Sequence, residues 1–577
     1  MKFKELAVYF QKLESTSKRL EMTDILAELF QKASQDKKVN IEEIVYLSQG
    51  HLLPSFKNIE FQMSEKLIHK SIVLATGKPD KLIEDMFQNI GDYGEVARNL
   101  CKIYNKNLTI GEIYKKLTEL AGFSGAGVVA RKTEFLADLL KSISPIEVKY
   151  VVRIILGKLR LGAGDPTFLD SLSLAYNGDK DLRKHLERAY NLCCDLGLVA
   201  KILFSEGIER IKEFEVIVGC PIRMALAARM PGAKEIIEKI GTCAIEAKYD
   251  GFRCQVHKKG KEIQVYSRNL ENTTHMFPEI KEGTLSQIKH KDVIFEGEAL
   301  AYDPQTGECL PFQTTVQRKR KHGIASMRKL FPLKLFVFDM LYADGDLTNK
   351  SYEQRRKIMT SVIGKGDVLE VSPVHIVKTA QELENIFEEL LREGREGIVA
   401  KRLDGTYKAG GRNFNWIKLK SSYSGELNDT IDCVIVGYYF GKGLRASLGI
   451  GSLLACVYDQ KSETFKTIAK IGSGLTEDEL VKFKKMLDKI KVNGKPSKVD
   501  SIIEPDVWVE PKYVIEVQAD EITRSPVHTC GKVQDKDSGY ALRFPRTVDK
   551  IREDKDAQDA TTVSEIIDLF KMQGRKT

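Results

Sequence analysis

Lys248 lies in the segment EAKYDGFR (Glu246 to Arg253), a primary amine flanked by carboxylates and followed by a guanidinium. Alone the signal is weak, because roughly 0.2 to 0.3 K-x-D-G matches are expected by chance in a chain of this composition. Strand periodicity adds to it. Glu246 and Lys248 fall on one face, Ile245, Ala247 and Tyr249 on the other, and Asp250-Gly251 turns the chain so that Arg253 returns nearby. FEGEAL puts Glu296 and Glu298 on one face, WIKLK does the same for Trp416, Lys418 and Lys420, and EGIVAK (Glu396 to Lys401) adds a fourth segment. Charges at alternate positions are by default the solvated side of a sheet, and four such segments in one chain weigh against that default. Lysines facing carboxylates suit nucleotidyl transfer, in which a lysine amine attacks the α-phosphorus of a nucleoside triphosphate and a carboxylate-held divalent metal offsets the phosphate charge. The nucleophile must lose its proton, and Lys418, Lys420, Arg253 and the metal would each favour that loss. Glu246 would oppose it, so its role is to accept a hydrogen bond from the base.

These segments need elements to hold them. The 577 residues, 42% hydrophobic and 30% charged, suffice for about three or four domains. Apolar residues at helical spacing (Leu20, Ile25, Leu26, Leu29; Phe135, Leu136, Leu139, Leu140) predict an all-helical domain over 1–215. From about 219 the texture becomes a strand meander (CAIEAKY, FRCQVH, EIQVYS), with helix returning at 379–393, which predicts an α+β domain over 216–422. Strands IDCVIVGYY, LLACVYD and KYVIEVQADEI around a helix at 476–490 fit a small β-barrel of oligonucleotide-binding type over 423–577, with a C-terminal extension.

Composition excludes several classes. Ten cysteines without a C-x-x-C pair argue against a zinc ribbon or a disulfide scaffold and for small core residues. No stretch is apolar enough to span a membrane and the N-terminus has charges where a signal peptide needs apolar residues, so the expectation is a cytoplasmic protein with no membrane partner. The net charge of +9 is a mild excess that suits a polyanion. Neither of the two commonest phosphate-cradling glycine motifs is present, and the glycines of 441–451 read as hairpin turns. The basic run QRKRKHG (Gln317 to Gly323) is either a solvated loop or a phosphate contact. GAG at 125–127 and LRLGAGD at 159–165 either terminate helices or present backbone N–H groups to phosphates at helix starts.

In this order the segments resemble the ATP-dependent DNA ligases of archaeal type, which are similar to the catalytic core of the eukaryotic replicative ligases. KYDGFR resembles the first nucleotidyltransferase motif and SRN (Ser267 to Asn269) its continuation. FEGEALAYD, LFVFDMLY, REGIVAKR and WIKLK resemble the third motif, the stacking segment, and the fourth and fifth motifs. RFPRTVDKIREDKDAQDATT (Arg543 to Thr562) resembles the sixth with its extension. The likeness extends over nearly the whole chain, with one departure at GCPIRMALAARM, where the family commonly has proline before Met-Leu-Ala.

The resemblance implies that Lys248 is the adenylated nucleophile. It gives ATP-binding roles to Glu246 (the adenine amino group), Arg253 and Arg268 (ribose and phosphate), Phe338 (stacking on the base), Glu298, Arg412, Lys418 and Lys420. Glu298 and Glu396 would bind metal, magnesium with manganese able to substitute, and Arg552 and Lys555 would orient pyrophosphate. It implies a monomer that seals nicks in double-stranded DNA during replication, repair and recombination, with a sliding clamp as a partner by family inference only. The barrel would swing about a hinge near Lys420 to Leu427. Among other lysyl-nucleotidyltransferases, a capping guanylyltransferase or an RNA ligase has no need of the helical N-terminal domain, and an NAD-dependent ligase would carry a four-cysteine zinc site. A non-catalytic DNA-binding scaffold is a further alternative, and it has no reason to keep Lys248 with Glu298 and Glu396.

Overall fold

The architecture comes from a computed structural model that describes the chain except residues 58, 103–105, 160, 311, 316–317, 319–322, 421–429, 442–447, 520, 533–537 and 574–577. The expected hinge, the glycine turn GKGLRASLGIG and most of QRKRK therefore fall wholly or largely outside the described residues. Within QRKRK, Arg318 is described and is neither solvated nor at a phosphate-facing surface: it is buried and donates to Glu279 at 2.6 Å.

Helices fill the chain from Phe3 to Lys212. Their ends are set by local chemistry. In the capping box Thr109/Glu112 each side chain accepts from the other residue's N–H, contributing about 1 kcal/mol, and at Ser144 the Glu147 carboxylate accepts from the Ser144 N–H and hydroxyl. Gly127 (φ 70°) precedes helix Val128–Ser142 and Gly164 precedes helix Asp165–Asn177, so both glycine segments do stand at helix starts. Leu26 and Leu29 are fully buried as the periodicity requires, but Leu20 is 68% exposed, because it stands on the outward stripe of Arg19–Gln35 with Asp24 and Glu28 and not on that of Met22, Leu26 and Leu29.

The middle of the chain forms two five-stranded sheets. The first has the order Leu226–Arg229, Arg412–Lys420, Gly397–Arg402, Cys243–Lys248, His375–Val377. The second has the order Glu262–Ser267, Phe252–Lys259, Asp292–Ala301, Leu333–Ala343, Leu369–Val371. The Asp250-Gly251 turn connects them, and it needs glycine because a Cβ at 251 would lie 2.5 Å from the Ala299 carbonyl oxygen. The helical region packs directly against these sheets, its apolar core running on into Ile294, Leu341, Tyr407 and Trp416. The C-terminal region is a branched eight-stranded sheet, in which Ile431–Tyr439 pairs with Ser452–Asp459, Val507–Val509 and Val514–Gln518. A two-stranded ribbon, Glu521–Ser525 with Gly539–Arg543, and the helices Glu477–Leu487 and Val563–Gln573 accompany it. All ten cysteines are free and seven are buried.

Candidate active site

Three strands of the first sheet carry the predicted residues on one face. Across Cys243–Lys248 and Gly397–Arg402, Ala244 pairs with Lys401, Glu246 with Val399 and Lys248 with Gly397. On the far side of Gly397–Arg402, Trp416 pairs with Lys401, Lys418 with Val399 and Lys420 with Gly397. Because the side-chain period is two, these registers put Glu246, Lys248, Lys401, Trp416, Lys418 and Lys420 on a common surface. Gly397 sits between the two lysine ends, and a Cβ there would meet the Leu419 carbonyl at 2.1 Å.

The face has a lysine-rich end and an end built of a buried glutamate and aromatic rings. At the first, Lys248 donates to Glu396, which also pairs with Lys420 at 2.5 Å. Burial alone would raise the Glu396 carboxyl, but Lys248 and Lys420 bring it down to about 2. The Lys418 ammonium makes no hydrogen bond or ion pair with any described residue. Burial together with Arg229, Lys420, Lys555 and Lys248 pushes it well below the usual lysine range. Arg229 stands beside it in register. A half-buried cation whose neighbours are cations and which has no counter-ion is arranged to receive an anion.

At the other end Glu246 is 2% exposed. Its Oε1 accepts from the Tyr352 hydroxyl and from Arg356 Nη1 at 3.3 Å, and its Oε2 from Lys401 Nζ at 3.0 Å. Phe338, half-buried, meets Trp416 edge-on at 5.9 Å. Its orientation comes from a bulge. Glu296 pairs with Asp339 and Gly297 with Val337, so Phe338 is the extra residue between two rungs. Phe336, two residues earlier, instead stacks on Tyr249 at 4.5 Å.

The second sheet supplies Arg253 and the glutamates of FEGEAL, which differ in environment. Glu296 is fully buried and accepts from Arg253 at 2.9 Å, Gln255 at 3.0 Å and Tyr407 at 2.9 Å. Arg253 also donates to the Ala225 carbonyl at 2.8 Å and lies against Phe338 and Trp416. The carboxylate of Glu298 has no hydrogen-bond or ion-pair partner among the described residues, and burial, reinforced by Asp250 and Glu396, raises it to about 7 against the pull of Lys248 and Arg253. With Glu396, it offers hard oxygen donors of the kind that would hold a magnesium ion, whose charge would offset the cost of the buried Glu298 carboxylate. No group of three or more metal-ligating side chains occurs among the described residues.

Of the remaining predicted residues, Arg412 opens its strand and is engaged by Glu565 of the C-terminal helix, so it is not a free loop charge. Burial, with Arg229 and Arg268 nearby, lowers its guanidinium to about 10. Arg552 chelates Asp554 at 2.9 and 3.0 Å, and Lys555 pairs with Asp432. Burial, helped by Arg552 and Arg268 and opposed by Asp432, brings Lys555 to about 8. Arg552 acts electrostatically on Asp250, and Lys555 on Lys418, so both reach toward the cleft, whereas Arg543 and Arg546 are exposed. Sequence reasoning missed Lys401, Tyr352, Arg356, Glu296 and Tyr407 as parts of the site. The alternation in EGIVAK carried a signal for Lys401 and that in FEGEAL one for Glu296, and nothing local marked Tyr352, Arg356 or Tyr407.

Three family models match the chain in order. One described as DNA ligase N terminus matches residues 2–173, one described as ATP dependent DNA ligase domain matches 224–420, and one described as ATP dependent DNA ligase C terminal region matches 446–555. A probable DNA ligase of Dictyoglomus turgidum is 52% identical over 577 residues, spanning 100% of this chain and 98% of that protein. A DNA ligase of Sulfurisphaera tokodaii is 43% identical over 595 residues, with coverage of 100% and 98%. Among solved structures, mycobacterial DNA ligase D complexed with ATP and MES matches with a TM-score of 0.34 at 23% identity, over 59% of this chain and 97% of that one.

Proposed function

The chain belongs to the ATP-dependent DNA ligases, and from its nick-sealing activity we propose the following division of labour among its residues. Lys248 Nζ attacks the α-phosphorus of ATP. The N–P bond forms as the bond to the β-phosphate oxygen breaks, and pyrophosphate leaves. The AMP group then passes to the 5′-phosphate at the nick, and the 3′-hydroxyl displaces it to form the phosphodiester. Lys418, beside Lys248 and Arg229 and without a partner among the described residues, carries this reading, since a triphosphate laid there would supply the counter-anion that its charged form lacks.

Glu396, held near 2, is too weak a base to store the proton of Lys248 and instead orients the amine. Glu246 accepts from the adenine amino group and Phe338 stacks on the ring. Arg253, Arg268, Arg412 and Lys420 line the ribose and phosphate path. Glu298 and Glu396 would hold magnesium, which supplies charge neutralisation of the phosphates. Arg552 and Lys555 orient the departing pyrophosphate.

The functional domains are 1–215 for DNA binding, 216–422 for adenylation and 423–577 as an oligonucleotide-binding barrel with its extension. What supports the last assignment is a strand-rich C-terminal region; its sheet is branched and does not close into a barrel among the described residues. The acting unit is a monomer on nicked duplex DNA, with a sliding clamp as its further partner.

The test is Lys248→Arg, whose guanidinium can keep the contact with Glu396 but does not deprotonate. Mass spectrometry after incubation with ATP and magnesium should find no added AMP, while nicked-duplex binding persists. An adenylated variant would overturn the assignment.

A further inference from the structure

Glu246 is surrounded in a way that the adenylation chemistry does not require. A carboxylate has about four acceptor directions. Both of those on Oε1 are taken, one by Tyr352 and one by Arg356, and one of the two on Oε2 is taken by Lys401. Each donor is itself held. Tyr352 and Arg356 share the helix Tyr352–Val362, started by the Ser351/Gln354 capping box and tied down by Tyr352 N–H donating to Gly405 O at 2.9 Å. Arg356 Nη2 donates to Ser372 O at 2.7 Å. Lys401 also donates to the Phe338 carbonyl at 2.8 Å and lies 4.9 Å from the Phe338 ring centre and 4.6 Å from that of Trp416. A single ammonium thus spans the carboxylate and the backbone of the bulged aromatic residue.

We propose that Lys401, Tyr352 and Arg356 are positioning residues that make the site selective for a 6-aminopurine over a 6-oxopurine nucleotide, by leaving Glu246 one fixed acceptor direction on Oε2. The inference rests on the reading of Glu246 as the acceptor for the base. An exocyclic amino group can donate into that direction. A 6-oxo group brings an acceptor to an acceptor, and both groups are left unpaired beside a carboxylate that is itself buried, the situation in which one hydrogen bond discriminates most strongly. Because Lys401 holds the Phe338 carbonyl as well, it sets the distance between the edge-reading and the stacking groups. With Lys401 removed, a second acceptor direction opens on Oε2, the carboxylate is free to rotate, and the spacing to Phe338 relaxes.

The experiment is single-turnover self-nucleotidylation of the full chain with α-labelled ATP or GTP, giving kcat and KM for each nucleotide. Lys401→Met should lower the ATP:GTP ratio of kcat/KM by on the order of tenfold, mainly through a higher KM for ATP, and Lys401→Arg should restore part of it. Tyr352→Phe removes one hydroxyl with little risk to folding and should lower the ratio by a smaller factor in the same sense. Equal losses for ATP and GTP in both Lys401→Met and Tyr352→Phe would reduce the three residues to scaffolding and overturn the inference. Glu246→Gln separates this from the parent reading. If it changes the ratio while the Lys401 and Tyr352 variants do not, only the positioning role fails. If it leaves the ratio unchanged, Glu246 does not read the base and the inference fails with it.

Discussion

In the helical region Lys149 meets Glu14 at 2.7 Å and Glu95 at 2.5 Å, Arg153 meets Glu14 at 2.9 Å and Asp92 at 2.5 Å, and Tyr150 donates to Glu14 at 2.9 Å. Lys149 and Arg153 each find two carboxylates inside the same cluster. Between the two sheets, by contrast, Lys418 has no carboxylate partner and the Glu298 carboxylate no donor among the described residues. Both regions withdraw charge from water, at a cost that good pairing can offset. The closed cluster spends its charges on its own fold and has nothing to offer a ligand. The open one leaves a cation and a carboxylate uncompensated among the described residues, as the proposed site for a polyphosphate with its metal requires.

The largest expected effect that separates the two clusters is on catalysis. Lys418→Met should lower the rate of self-adenylation by on the order of a hundredfold, yet leave the melting temperature of the nucleotide-free protein unchanged or raised, because it removes an unpaired buried charge. Arg153→Met should do the reverse, destabilising by about 3–5 kcal/mol by stranding Glu14 and Asp92 while leaving adenylation near normal below the melting transition. Thermal melts and single-turnover adenylation on the same two preparations check both. A Lys418 variant that melts as low as the Arg153 variant would break the contrast.

Arg552 and Lys555 lie between the two cases, since each has a carboxylate within its own region and also acts on the cleft. Arg552→Ala with Lys555→Ala should slow adenylation by about tenfold to a hundredfold while sealing of a chemically pre-adenylated nick stays near normal. Equal loss in both steps, or in neither, would return the segment to the paired, structural class.

The smallest effect concerns a single ring on the paired side. His257 is buried, accepts from Gly219 N–H at 3.0 Å and lies 2.9 Å from the Gln255 side-chain oxygen. Burial pushes it down to about 3. Its folded pKa lies below its unfolded value near 6.5, so its contribution is fully present above pH 6.5 and is lost progressively as pH falls toward 3, by about 1 kcal/mol per pH unit. Denaturant titrations at pH 7 and pH 5 should show this loss in the parent and a smaller one in His257→Gln. An equal pH dependence in the two would remove His257 as its source.

Much of the site was legible because strand alternation is a local property. Glu246 with Lys248, and Trp416 with Lys418 and Lys420, lie on the common face that period two assigns them. Leu20 shows the limit of such reasoning, since a cluster of apolar residues at near-helical spacing does not fix which stripe each one joins, and Leu20 falls on the outward stripe with Asp24 and Glu28. The pairing of Arg412 with Glu565 and the burial of Arg318 were illegible for a related reason. Whether a charge in a basic or loop-like segment is solvated depends on what packs over it, and that comes from distant parts of the chain.

From residue types, periodicity and the order of its motifs alone, the sequence pointed to nucleotidyl-transfer chemistry with Lys248 as the expected nucleophile, and it determined a helical region ahead of an α+β region and a strand-rich one. Tertiary structure alone decided that Lys248 faces Glu396 across 148 residues of chain and that Lys401 reaches Glu246 across 155. It also decided that a bulge opposite Gly297 turns Phe338 toward Trp416 while Phe336 stacks elsewhere. Alternation fixes the face on which a side chain emerges, but neighbour and register depend on which strands meet, and that is settled only when the two sheets and the helical region bury their apolar surfaces together.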